Sequence, residues 1–86
     1  MALEMFDSVT DIAGRIKASI EAAIGDAVVD VKTGSHGHFE IDVTSQEFAG
    51  KSMVKQQQLV YAAIKELMAG DNAPVHAVDR LRTKTP

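Results

Sequence analysis

Cysteine is missing from this chain altogether. Its absence removes disulfides, thiol nucleophiles and every cysteine-based zinc site, and leaves no sign of an oxidising compartment. Tryptophan is absent too. The only aromatics are Phe6, Phe39, Phe48 and Tyr61, so the core has to be built mostly from aliphatic side chains. No stretch approaches the roughly 20 apolar residues that a membrane-spanning helix needs. Glu4 and Asp7 stand where a secretory leader would carry positive charge. The expectation is a cytoplasmic protein with no membrane partner. A basic excess is also lacking, and a net charge of -3 argues against strong non-specific nucleic-acid binding. No glycine-rich phosphate loop follows a strand, and no Ser–His–Asp set emerges, so an enzyme is not expected.

What is present fits one small domain over residues 1–86, with residues 1–7 as a loose lead-in. A chain of this size buries only roughly 60–65% of its unfolded surface. Val9, Ile12, Ala13, Ile16, Ile20, Ala23 and Ile24 recur at three- and four-residue spacing and predict a helix. Asp7 or Ser8 can cap it, Asp11 suits its positive end, and Gly25 stops it. Val29 and Val31, then Phe39, Ile41 and Val43, alternate with polar neighbours and predict two strands. The link Gly34-Ser35-His36-Gly37 is short enough to make them an antiparallel hairpin.

Ser45 to Ser52 reads as a turn or a single helical turn, closed by Gly50. Ser52 then caps a long helix whose buried stripe is Met53, Val60, Ile64, Leu67 and Met68, with Tyr61 beside it. Gln57 falls on that stripe and needs a hydrogen-bond partner or a frayed first turn. Gly70-Asp71-Asn72 ends the helix, and Pro74 prevents its return. A third strand runs from Val75 to about Thr83. Val78 and Leu81 are three residues apart, and only a bulge near Asp79–Arg80 puts them on one side. The fold expected is α+β, in the order α-β-β-α-α-β, with the helices on one face of a three-stranded sheet.

Four groups of residues invite a chemical reading. His36 and His38 form an H-x-H pair beside the hairpin link, and residues two apart on a strand share a face and can grip one metal. His36 is the better ligand because a glycine-flanked loop can move, whereas His38 can simply cap its strand. Gly34-Ser35-His36-Gly37 matches the G-x-x-G string of KH domains, but that clamp joins two helices, and this one joins two strands. Lys51 and Lys55 lie where phosphate contact is conceivable, though a solvated helix face is the plainer reading. Asp30, Glu40 and Asp42 are the outward half of alternating strands and read as solvent-facing rather than as acid/base pairs.

The second half of the chain carries a recognisable pattern. His38-Phe39, a strand ending in Ser45, Phe48-Ala49-Gly50-Lys51-Ser52, Leu59-Val60-Tyr61, His76-Ala77-Val78 and Thr83-Lys84-Thr85-Pro86 follow one another in order. Together they resemble the BolA family. Many of its members carry Arg-His-Arg where this chain has Gln56-Gln57-Gln58. The stretch from Val54 to Tyr61 is similar instead to the IbaG-like, Lys-Gln-Gln branch of bacterial BolA proteins. A further departure is one extra residue between His76 and Thr85-Pro86.

The resemblance implies a class II KH-like fold. It also implies a non-enzymatic partner that pairs with a monothiol glutaredoxin and shares a [2Fe–2S] cluster, in iron–sulfur trafficking or iron sensing. His76 matches the family's C-terminal cluster-ligating histidine. Some relatives place a Cys or His in the loop that holds His36, although the loop is shorter here. The partner would bring the cysteine ligand and glutathione, and the isolated chain would bind no cluster. The family also includes DNA-binding regulators of transcription, cell shape and stress response. The alternative expectation is therefore a KH-like DNA-binding regulator using Lys51 and Lys55. An apo homodimer is a further possibility under the same resemblance, and a free-standing zinc or iron site made of His36, His38 and His76 is a third functional reading.

Overall fold

The computed structural model describes residues 8–86, with side chains from residue 12 onward. The lead-in expected over residues 1–7, the caps at Asp7 and Ser8, and the side chains of Val9 and Asp11 lie outside the described set. Helix α1 spans Ser8–Ala23, strand β1 Val28–Thr33 and strand β2 His38–Thr44. A single 3-10 turn follows at Gln46–Phe48. Helix α2 covers Met53–Ala63, a one-turn helix α3 covers Lys65–Met68, and strand β3 runs over Ala77–Lys84.

The sheet has the order β1-β2-β3. β1 pairs antiparallel with β2, from Val28 opposite Thr44 to Thr33 opposite Phe39. β3 pairs parallel with β2, from His38 opposite Ala77 to Thr44 opposite Lys84. Strand alternation turns Val29, Phe39, Ile41 and Val43 to one face. There they meet Ile16 and Ile20 of α1, Ile24 just past its end, Val60 of α2, and Ile64, Leu67 and Val75 in a single core. The helices therefore cover one face of the sheet, and the other face carries the charged half of the alternation. Asp30 and Glu40 are exposed there, and Asp42 accepts from Arg82 Nε at 3.1 Å. Asp30 and Asp42 sit directly opposite each other, a like-charge pairing that the Arg82 guanidinium offsets. Among the described residues no helix is long and apolar enough to cross a membrane.

Several local expectations are refined. α1 ends at Ala23, which is exposed, and the left-handed residue of the following turn is Asp26 (φ 49°), not Gly25. Asp26 is held there by its carboxylate, which accepts from the Gln46 amide at 3.2 Å and lies 2.7 Å from Ser45 Oγ. Ser45 is fully buried. Its hydroxyl also reaches the Gly25 carbonyl at 2.7 Å and accepts from the Glu47 amide at 2.9 Å, capping the 3-10 turn.

The second long helix is broken in two at Ile64, whose amide is shared between the carbonyls of Val60 and Tyr61 at 3.3 and 3.2 Å. This tightened turn lets both Ile64 and Leu67 point into the core. Ser52 does cap α2, accepting from the Lys55 amide at 3.2 Å. Met53 does not belong to the buried stripe. It is 54% exposed, and Tyr61 is also exposed. The first turn of α2 meets β3 through polar groups instead. Gln56 accepts from Thr83 Oγ1 at 2.7 Å and donates to the Lys51 carbonyl at 2.9 Å, and Gln57 reaches the Leu81 carbonyl at 3.5 Å. Gln56 and Gln57 thus tie the helix to the edge strand.

β3 starts two residues later than its sequence pattern suggests. The Val75 amide is taken by the Leu67 carbonyl at 3.1 Å, so this buried valine closes the core below α3 rather than joining the ladder. The bulge is present. Phe39 faces Val78 and Glu40 faces Arg80, leaving Asp79 as the unpaired extra residue. Val78 and Leu81 consequently both pack against the core.

Candidate metal site at the hairpin tip

Parallel pairing places the starts of β2 and β3 side by side. The β1–β2 link, residues 34–37, leads into the start of β2, and His76 immediately precedes β3. Topology therefore brings two segments that are far apart in sequence to one end of the sheet. The link is closed by Gly34 donating to the His38 carbonyl and His38 donating to the Ser35 carbonyl, both at 2.9 Å. Gly37 then turns its carbonyl toward the incoming strand, where it accepts from the amides of His76 at 2.8 Å and Ala77 at 3.1 Å.

His36 and His76 meet as a result. Their rings lie edge to face, with centroids 5.6 Å apart, and both residues are exposed. An imidazole nitrogen binds zinc at about 2.0–2.1 Å, which puts two ring centroids about 5 Å apart around one tetrahedral ion. The observed spacing is close to that. Two imidazoles would supply half of a four-ligand set. Among the described residues no group of three His, Asp or Glu is arranged to hold a metal.

His38 is placed differently. As the first residue of β2 it lies on the helix-free side with Glu40 and Asp42, and its Nδ1 is 2.9 Å from Asp79 Oδ1. The structure thus joins His36 to His76 and joins His38 to the bulge. Lys51 donates through Nζ to the Glu47 carbonyl at 2.8 Å, and Lys55 is exposed on the first turn of α2. Gly34-Ser35-His36-Gly37 does connect two strands.

Reading the sequence did not single out Gly37 or Asp79 as site residues. For Gly37 the available signal was the second glycine of the G-x-x-G string, which sets its place in the link. For Asp79 it was the broken alternation that located the bulge.

The family model for BolA-like proteins matches residues 16–86, which includes all three histidines and the whole sheet. The chain belongs to the BolA-like protein family. BolA-like protein 1 of Bos taurus is 32% identical over 80 residues, an alignment covering 83% of this chain and 56% of the bovine protein. The chain thus spans little more than half the length of that relative. The solution structure of BolA1 from Mus musculus superposes with a TM-score of 0.68 at 32% identity, covering 87% of this chain and 65% of that one. A BolA homologue from Coxiella burnetii gives a TM-score of 0.68 at 32% identity, over 83% of this chain and 86% of the other. The mixed α+β architecture with a three-stranded sheet is therefore the architecture of solved BolA structures.

Proposed function

We propose that this BolA-like chain is a non-enzymatic iron–sulfur partner protein that docks a cytoplasmic monothiol glutaredoxin and supplies His76 and His36 to one iron of a shared [2Fe–2S] cluster. The observation that carries the proposal is the exposed His36–His76 pair, whose ring centroids lie 5.6 Å apart. Two histidines can replace two thiolates on one iron of such a cluster, as in Rieske centres, and this raises its potential. This chain has no cysteine, so the thiolates must come from outside: the glutaredoxin cysteine and glutathione. The roles of this chain's residues follow. His76 is anchored by the main chain of the start of β3, and His36 rides on the glycine-bounded link. Iron–sulfur trafficking and iron sensing both use such an assembly, and the Gln56-Gln57-Gln58 segment favours kinship with the IbaG-like branch.

Co-expression with a monothiol glutaredoxin tests the proposal. A coloured heterodimer with the absorption and paramagnetic signature of a partly histidine-ligated [2Fe–2S] centre is expected. Recovery only of a glutaredoxin homodimer carrying the cluster, beside colourless free chain, would reject it.

A further inference from the structure

Beyond the histidines themselves, the hairpin tip contains a feature that decides whether they can meet. We infer that Gly37 is a positioning residue for the His36–His76 pair, because its bare Cα forms the seat on which the His76 ring rests. A side-chain carbon built on Gly37 would lie 2.5 Å from His76 Nδ1, 2.6 Å from its Cγ and 3.1 Å from its Cβ. The first two separations are shorter than real carbon contacts tolerate, so the ring would have to leave. It cannot carry its backbone along freely. The His76 and Ala77 amides are both bonded to the Gly37 carbonyl, which fixes the two main chains against each other. The side chain must then swing instead, away from Gly37. His36 is the residue next to Gly37, so this movement also disturbs the 5.6 Å pairing of the two rings. The contact on Gly37 is made by the Nδ1–Cγ side of the His76 ring.

Gly37 also has φ +76°, so any L-residue there is strained for a separate reason. The molecule contains its own control for that strain. Gly50 has the same φ of +76° and nothing within 4 Å of the place a Cβ would occupy. Gly37→Ala and Gly50→Ala share the backbone penalty and differ in the collision with His76.

The inference rests on the proposed ligand role of His76, and the test separates the two. In the isolated chain, a nuclear Overhauser contact between the His36 and His76 rings is expected in the wild type and in Gly50→Ala, and its loss is expected in Gly37→Ala. In the mixed complex with the glutaredoxin, Gly37→Ala should shift the cluster spectrum toward that of His76→Ala, while Gly50→Ala should keep the wild-type spectrum. Should Gly37→Ala fail to fold, the double variant Gly37→Ala/His76→Ala supplies the answer. Removing the ring removes the two closest contacts and leaves only the 3.1 Å approach to Cβ, so the double variant should fold and recover most of the melting difference between Gly37→Ala and Gly50→Ala. A ring contact retained in Gly37→Ala, or a double variant as unstable as the single one, overturns the seat. A wild-type cluster spectrum indifferent to His76→Ala instead overturns the ligand role, with the ring contact and the rescue still reporting on Gly37.

Discussion

Replacing His76 by alanine separates ligation from folding. The side chain is exposed and lies just outside β3, and the polar bonds that hold this position belong to its main chain, through the 2.8 Å bond from its amide to the Gly37 carbonyl. Alanine keeps that bond. Truncation of such a surface residue changes stability by about 0.5 kcal/mol or less. For a domain of this length, that corresponds to a melting shift of roughly 2–4 °C at most. Docking onto an apo glutaredoxin should persist, because one histidine is a small part of any stable protein interface. The cluster is what should change. Its visible and paramagnetic spectra should move toward an all-thiolate centre, or the mixed complex should give way to a glutaredoxin homodimer. The assays are a thermal melt, a titration of apo partners and the spectrum of the co-purified complex. A melt lowered by 10 °C or more would show a structural histidine, and an unchanged cluster spectrum would show that iron is ligated elsewhere.

Four further outcomes follow. His38→Ala should leave the cluster spectrum unaltered and cost about 0.2–1 kcal/mol, since its pair with Asp79 is largely solvent-exposed. His36→Ala should give a spectral effect between those of His38→Ala and His76→Ala, and equality with His38→Ala would remove it from the ligand set. Ser45→Ala deletes a fully buried hydroxyl that caps the 3-10 turn and bonds the Gly25–Asp26 turn. A loss of about 2 kcal/mol is expected from the cap and the charge-assisted bond together. That is a melting decrease of roughly 8–16 °C, and a shift under about 3 °C would contradict the account. DNA binding, measured across a salt series, should be weak and indifferent to Lys51→Ala and Lys55→Ala. A steep salt dependence that each substitution reduces by about one unit of slope would instead establish a phosphate-binding face.

The order of elements was legible because each depends on a local period. Ile16, Ile20 and Ile24 mark α1, and Phe39, Ile41 and Val43 mark β2 without reference to anything distant. Even the bulge could be located, since Val78 and Leu81 cannot share a face of a regular strand. Met53 misled because periodicity says which residues share a side of a helix, but not how far the underlying sheet extends. The first turn of α2 overhangs the edge strand, where Gln56 and Gln57 make the contacts. The break at Ile64 and the left-handed Asp26 escaped for a related reason. Both are set by partners distant in sequence, the core around Ile64 and the Ser45–Gln46 segment against Asp26. Of the site, the histidine types and the glycine-bounded link were readable. The meeting of His36 with His76 was not, because it needs β3 to lie parallel beside β2.

The bulge fits the longer β3 against β2 without moving either end of the strand. β3 is pinned at both ends. At its start the His76 and Ala77 amides hold the Gly37 carbonyl, and at its end the Ser45 amide holds the Lys84 carbonyl at 3.0 Å. Between these anchors β2 contributes 7 residues and β3 contributes 8. The surplus residue cannot be passed to either end without breaking an anchor, so it is expelled from the ladder as Asp79. Its carboxylate is then caught by His38, the first residue of the neighbouring strand. A one-residue slip in place of the bulge would turn the inward and outward halves of β3 over, exposing Leu81 and Thr83 and burying Arg80 and Arg82. The bulge confines the irregularity to one position on an edge strand, where an unpaired residue costs least and also disrupts an otherwise continuous exposed edge. The two end anchors therefore set the β3 register, with the exposed His38–Asp79 pair a minor addition, and the constancy of that register keeps His76 over Gly37.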